Sequence, residues 1–145
     1  MTHSVTEIAA ALGARFAGNG ALAVGGAAEP ANAGADQIAL AMSPKYADAI
    51  REGAARVALL WPEADWQGLG LEAAIFVSHG KLAMAGITEM MDPGPALAPG
   101  IHPTAHVAEG AQIGPDSAIG AFAVIGDGAR IGARARIAAH ATVAA

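Results

Sequence analysis

From Ile101 onward every sixth residue is a β-branched aliphatic: Ile101, Val107, Ile113, Ile119, Ile125, Ile131, Ile137 and Val143. The fifth position of each hexad is small throughout: Ala105, Ala111, Ser117, Ala123, Ala129, Ala135 and Ala141. A fifth position and the first position of the next hexad are two residues apart, so in extended chain they point to one side. A branched aliphatic beside a small residue suits a narrow interior. The second position is mostly Gly or Ala, which reads as freedom for the chain to bend at a corner. Three such strands close one triangular coil, and coils stack into a parallel β-helix. Seven full hexads and a remnant predict a little over two coils over residues 99–145. The repeat specifies a fold and leaves function open.

Composition bounds what else the chain can be. Of its 145 residues, 40 are Ala and 19 are Gly, so the 54% hydrophobic content is largely methyl groups. Low charge and recurring aliphatics argue against disorder. Gly, Pro and charges interrupt every candidate membrane span, so none is expected. The start, MTHSVTEIAA, lacks the basic-then-apolar order of a signal peptide. Without Cys there is no disulfide, thiolate zinc site or cysteine nucleophile, and a cytoplasmic location is expected. The net charge of −5 argues against nucleic-acid binding. It is confined to residues 1–100, with ten acids and five bases; the repeat is neutral.

Residues 92–100, DPGPALAPG, break helix and strand alike and read as a linker after a first domain over 1–98. In that domain Ser4 and Glu7 form a capping box ahead of a helix at about 5–12, with Gly13 past its end. Segments 15–17 and 21–24 flank Gly18-Asn19-Gly20, a hairpin signal. A strand is expected at 37–42. Ser43 then caps a helix with Pro44 at its first position, running to about Arg51. Short buried strands are expected at 57–60 and 73–77, and a helix from Ser78 to Pro93. The whole reads as an α+β domain of short strands and three helices, followed by the β-helix.

In order along the chain stand Gly25-Gly-Ala-Ala28, Ile38-Ala-Leu-Ala-Met-Ser-Pro-Lys-Tyr46, Ala73-Ala-Ile-Phe-Val77, a linker and hexapeptides. That succession resembles the UDP-3-O-acylglucosamine N-acyltransferases of lipid A synthesis. The most specific piece is Ser43-Pro44-Lys45-Tyr46, where the family usually has Asn-Pro-Lys-Tyr. The resemblance implies a left-handed β-helix and a homotrimer with active sites between neighbouring β-helices. It also implies transfer of a 3-hydroxyacyl chain from acyl carrier protein to the amine of a UDP-acylglucosamine, without a cofactor. In the family the uracil lies between the Tyr matching Tyr46 and a Phe six residues earlier. Leu40 occupies that earlier position here, and Ser43 replaces the Asn. The resemblance thus makes Leu40, Ser43, Lys45 and Tyr46 the candidate uridine site, with Lys45 as a phosphate contact. Taken alone, Tyr46 reads as ring packing with a wet hydroxyl, and Lys45 as a solvated charge.

The resemblance also implies a general-base His in an Ile-Ala-His run on a later coil, suited by a pKa near neutrality. None of the five histidines meets both motif and coil. His3 is expected in a frayed terminus and His79 at a helix start. His102 and His106 are in the first hexad. His140, in Ile137-Ala-Ala-His140, comes one place late in its hexad and on too early a coil. No catalytic residue is therefore assigned. His102, His106 and His140 could mimic a three-histidine zinc site, but they fall at different hexad positions, and no metal is expected. The expectation is an N-terminal piece of the enzyme. The alternatives are a non-catalytic uridine-nucleotide-binding or assembly module, and a different hexapeptide-repeat transferase. The sixth positions should face outward, with His106, Val124 and Thr142 in one row that contributes to a subunit contact.

Overall fold

The structure, a computed structural model, describes residues 2–145 and divides into two compact units, residues 1–93 and 94–145. In the first unit β1 (His3–Ser4) leads into α1 (Val5–Ala11). The capping box is present: Ser4 Oγ accepts the Glu7 N–H, and Glu7 Oε2 accepts the Ser4 N–H at 2.7 Å. These bonds, the backbone one foremost, hold the Glu7 pKa below its ordinary value of 4.5. A carboxylate lowered by folding stabilises above its unfolded pKa, and that contribution is lost as pH falls through the folded value. Glu7→Ala, which removes the bonds that the carboxylate accepts from the Ser4 N–H and hydroxyl, should therefore lower the melting temperature near neutral pH. The gap to the parent should narrow once Glu7 protonates, which melting curves across acid pH will check.

Next come β2 (Arg15–Gly18), β3 (Ala23–Val24), β4 (Gly26–Ala28), a 3-10 turn (Pro30–Asn32) and β5 (Gln37–Ala41). A second 3-10 turn (Pro44–Tyr46) runs into α2 (Ala47–Glu52), followed by β6 (Val57–Leu60), β7 (Ala73–Phe76) and α3 (Gly80–Met91). One sheet has the order β2-β7-β6-β5-β4, with all neighbours parallel except β2 against β7. The strands read as unbroken apolar runs because both faces are covered. Ile38, Val57, Leu59 and Ile75 turn to one face, under α1 and α3. Ala39, Ala41, Leu60 and Phe76 turn to the other, under Ile50 of α2 and the segment 61–72.

Three expectations are corrected here. Segments 15–17 and 21–24 do not form a hairpin. β2 pairs with β7, and β3 pairs with His3 and Ser4 instead. Gly18 turns the chain away with φ +86, and a Cβ there would stand 2.3 Å from Glu72 O, so glycine is required for the close approach. His3 is held rather than frayed: it pairs with Val24, and its Nε2 donates to Met90 O at 3.1 Å. The third helix begins at Gly80, two residues after Ser78, with His79 as its N-cap.

In the second unit, pairs of residues form eight strands: β8 (Gly100–Ile101), β9 (His106–Val107), β10 (Gln112–Ile113), β11 (Ala118–Ile119), β12 (Val124–Ile125), β13 (Arg130–Ile131), β14 (Arg136–Ile137) and β15 (Thr142–Val143). Each pairs in parallel with the strand 18 residues away, giving three faces: β8-β11-β14, β9-β12-β15 and β10-β13. Ile119, Ala123, Ile125 and Ala129 are buried together, and the partly buried Val107, Ile113, Ile131 and Ile137 pack against them. Ser117, the one polar fifth position, is buried and satisfied. Its Oγ donates to Gly132 O and accepts the Ala135 N–H.

The corners are built differently from the sequence expectation. The second-position glycines do not take positive φ. The left-handed residues are fourth positions: Asp116, Phe122, Arg134 and His140 at φ 58 to 61, and Gly128 at 78. With second-to-fifth bonds such as Ala123 N–H to Gly120 O, this is the pattern of a type II turn. The second-position glycine serves the stacking of coils. A Cβ at Gly120 would lie 2.6 Å from Ala139 N and 2.8 Å from Ala138 C, both backbone, and one at Gly114 would lie 2.5 Å from Ala133 N. Gly120→Ala and Gly114→Ala are each expected to destabilise by about 2 kcal/mol. Denaturant midpoints of the two variants will check this. One sixth position departs from the outward rule: Ala118 is fully buried, in its row between Gly100 and Arg136.

Candidate functional site

The four candidate residues sit where β5 ends. Pro44 fixes the first position of the 3-10 turn, and the Tyr46 N–H closes it on Ser43 O at 3.0 Å. The helix expected from Pro44 is thus a tight 3-10 turn that widens into α2 at Ala47. Ser43 is its N-cap in position only, because its side chain makes no capping bond. Tyr46 is 40% exposed, and the Lys45 ammonium stands 4.9 Å from its ring centroid. Lys45 and the Tyr46 ring therefore form a cation–π pair on the surface. Leu40 is only partly buried and packs against the cluster formed with α1 and α3. It faces the opposite side of the sheet from Ala39 and Ala41, which pack with Ile50 of α2, the helix that Tyr46 leads into. The turn and its half-exposed ring stand at the carboxyl end of β5, while the Leu40 side chain packs on the α1 and α3 face of the sheet.

The histidines are dispersed. His140 is exposed at a corner, with its ring stacked on Phe122 at 5.2 Å between centroids and 17° between planes. Below it Thr104 Oγ1 accepts the Phe122 N–H, and the Thr104 N–H donates to His102 Nδ1 at 3.2 Å. Among the described residues no three His, Asp or Glu side chains gather as a metal site. The Phe122–His140 column was not read from the sequence. Its signal is there, since 122 and 140 are both fourth positions, 18 residues apart. His106, Val124 and Thr142 form the expected row, paired in register, with Val124 at 40% exposure.

Residues 110–145 match the family model described as bacterial transferase hexapeptide (six repeats). A protein of Ruegeria pomeroyi named UDP-3-O-acylglucosamine N-acyltransferase is 60% identical over 114 residues, covering 79% of this chain and 31% of that protein. One of the same name from Paracoccus denitrificans is 54% identical over 105 residues, covering 72% and 28% respectively. This chain belongs to the UDP-3-O-acylglucosamine N-acyltransferase family. It spans about a third of the length of the curated relatives it matches. A Pseudomonas aeruginosa member is 37% identical over 117 residues, covering 81% of this chain. The family's hexapeptide repeat accounts for the 18-residue register of the second unit. Among the described residues, no helix of this family member is long and apolar enough to cross a membrane.

Proposed function

We propose that this chain holds the uridine-recognition domain and the first coils of a UDP-3-O-acylglucosamine N-acyltransferase of lipid A synthesis. The single observation that carries this reading is the 60% identity to a protein of that name. Its supporting geometry is Tyr46, half-exposed on a proline-fixed turn at the end of β5. In this reading Tyr46 stacks on the uracil, Leu40 gives an apolar contact, Ser43 replaces an amide, and Lys45 serves a phosphate as a point charge. The acyl donor is 3-hydroxyacyl-acyl carrier protein, in the cytoplasm. A His takes the proton from the attacking sugar amine as the amine adds to the thioester carbonyl; the C–S bond then breaks, leaving the amide and the carrier protein's thiol, which takes up that proton. No histidine of this chain fills that role, so the 145-residue chain by itself should show no acyl transfer.

The β-helix winds left-handed in this reading, which the hexapeptide-repeat match over residues 110–145 supports. The row His106-Val124-Thr142 contributes to a homotrimer contact, and light scattering should show association at high concentration. The decisive test is an NMR titration with UDP-N-acetylglucosamine, UMP and AMP. Shifts at residues 40–46 with both uridine ligands and none with AMP are expected. Equal shifts with AMP, or none at millimolar ligand, would overturn the assignment.

A further inference from the structure

A cavity of about 720 Å³ opens in the first unit at the carboxyl end of β7. Its position follows from the winding of the sheet. The segment after β6 packs Trp61, Trp66 and Leu71 on one face, whereas α3, after β7, packs Ala83 and Ile87 on the other. Neighbouring parallel strands whose connections leave to opposite faces part at their ends, and such crevices hold ligands in open α/β sheets. This crevice is separate from the turn at Tyr46, and none of residues 40–46 lines it.

The lining is chemically asymmetric. Arg15, from the antiparallel strand β2, lies with its guanidinium 4.0 Å over the Phe76 ring while its Nη2 donates to Pro62 O. These two contacts fix the fork and engage one of its five N–H donors. The ion pairs resolved among the described residues, Arg51–Asp48 and Arg56–Glu72, leave Arg15 out. His79 lines the same end, and its ring makes no capping bond to α3. The opposite wall is hydrocarbon: Leu12 of the α1 end and Leu82 of α3, which at 74% exposure is the most exposed large apolar side chain among the described residues. Gly86 lets Leu12 pack closely on α3; a Cβ there would stand 2.6 Å from Leu12 Cδ2. Glu89 sets the negative charge two turns along α3 from Leu82.

We propose that this cavity binds a small amphipathic anion, with its carboxylate or phosphate head on Arg15 and its apolar tail along Leu12 and Leu82. A fixed guanidinium is suited to a bidentate oxyanion and loses little freedom on binding. The tail covers leucine surface that is otherwise in water.

The test titrates the intact chain by NMR with octanoate and octyl phosphate, with octanol and acetate as controls lacking a head and a tail. Saturating shifts at Arg15 and residues 78–83 are expected with one or both anions, and which one identifies the head. Octanol and acetate should each bind at least about tenfold more weakly. Arg15→Met keeps bulk over Phe76 and should weaken octanoate by about tenfold or more. Leu82→Ser, a neutral change at an exposed position, should bring octanoate down to the acetate level while the fold persists. Failure of both anions to saturate, equal binding of octanol, or unchanged affinity in Arg15→Met would each overturn the proposal. The uridine reading is scored on residues 40–46 with UMP, so either assignment can fail without the other.

Discussion

Ile119→Asp is expected to unfold the repeat unit, at a cost of about 4–5 kcal/mol or more. Ile119 is 1% exposed and stands in a ladder between Ile101 and Ile137. Its neighbours in the core are Ile125, Ala123 and Ala129, all apolar. A carboxylate placed there loses its hydration without a partner, and the void left by the isoleucine adds to the loss. Arg134→Asp supplies the contrast with the same new charge. Arg134 is exposed at a corner with φ 58, a conformation that Asp tolerates better than most residues. Its backbone N–H still reaches Pro115 O whatever the side chain. Thermal melts should show a large fall for Ile119→Asp and almost none for Arg134→Asp. Equal shifts would mean that the inward and outward assignments of the hexad are wrong.

Tyr46→Ala is expected to remove the response to uridine nucleotides and leave the melting temperature nearly unchanged. Base–aromatic stacking is worth about 1–3 kcal/mol per base, so binding through the single ring proposed to hold the uracil depends on it. The ring is 40% exposed, and surface truncations of that kind shift stability little. If Tyr46 only packed against its own domain, the variant would lower the melting temperature and alter no ligand response. Leu40→Phe tests the other side of the site. It supplies a second aromatic and should tighten UMP binding. Because Leu40 packs against a filled cluster, the larger ring should also cost about 1–3 kcal/mol of stability. Tighter binding in a less stable protein is the expected pair of results, read by NMR titration and thermal melting of one sample.

The second unit was legible in the sequence because its contacts repeat with the chain. Each residue meets its counterpart 18 positions away, so a period in the letters is a period in space, and Ile119 could be placed inside from spacing alone. The capping box at Ser4 and Glu7 was legible for a similar reason, since its partners lie three residues apart. Tyr46 could be placed on a proline-fixed turn, although the narrower 3-10 geometry comes from how the turn meets α2. Tertiary structure decided the rest. The short strands Ala73-Ala-Ile-Phe76 and Gln37-Ile-Ala-Leu-Ala41 are apolar on both faces, so their letters carry no alternation to set partner or register. β2 therefore found β7, 58 residues away, rather than the neighbour that Gly18-Asn19-Gly20 suggested. The left-handed fourth positions at Phe122 and Arg134 were likewise invisible, because neither residue type has an intrinsic preference for positive φ. The stacking of one coil on the next imposes it. The cavity beside Arg15 depends on two connections leaving the sheet on opposite faces, and that choice is made by which side chains pack together after the strands have paired.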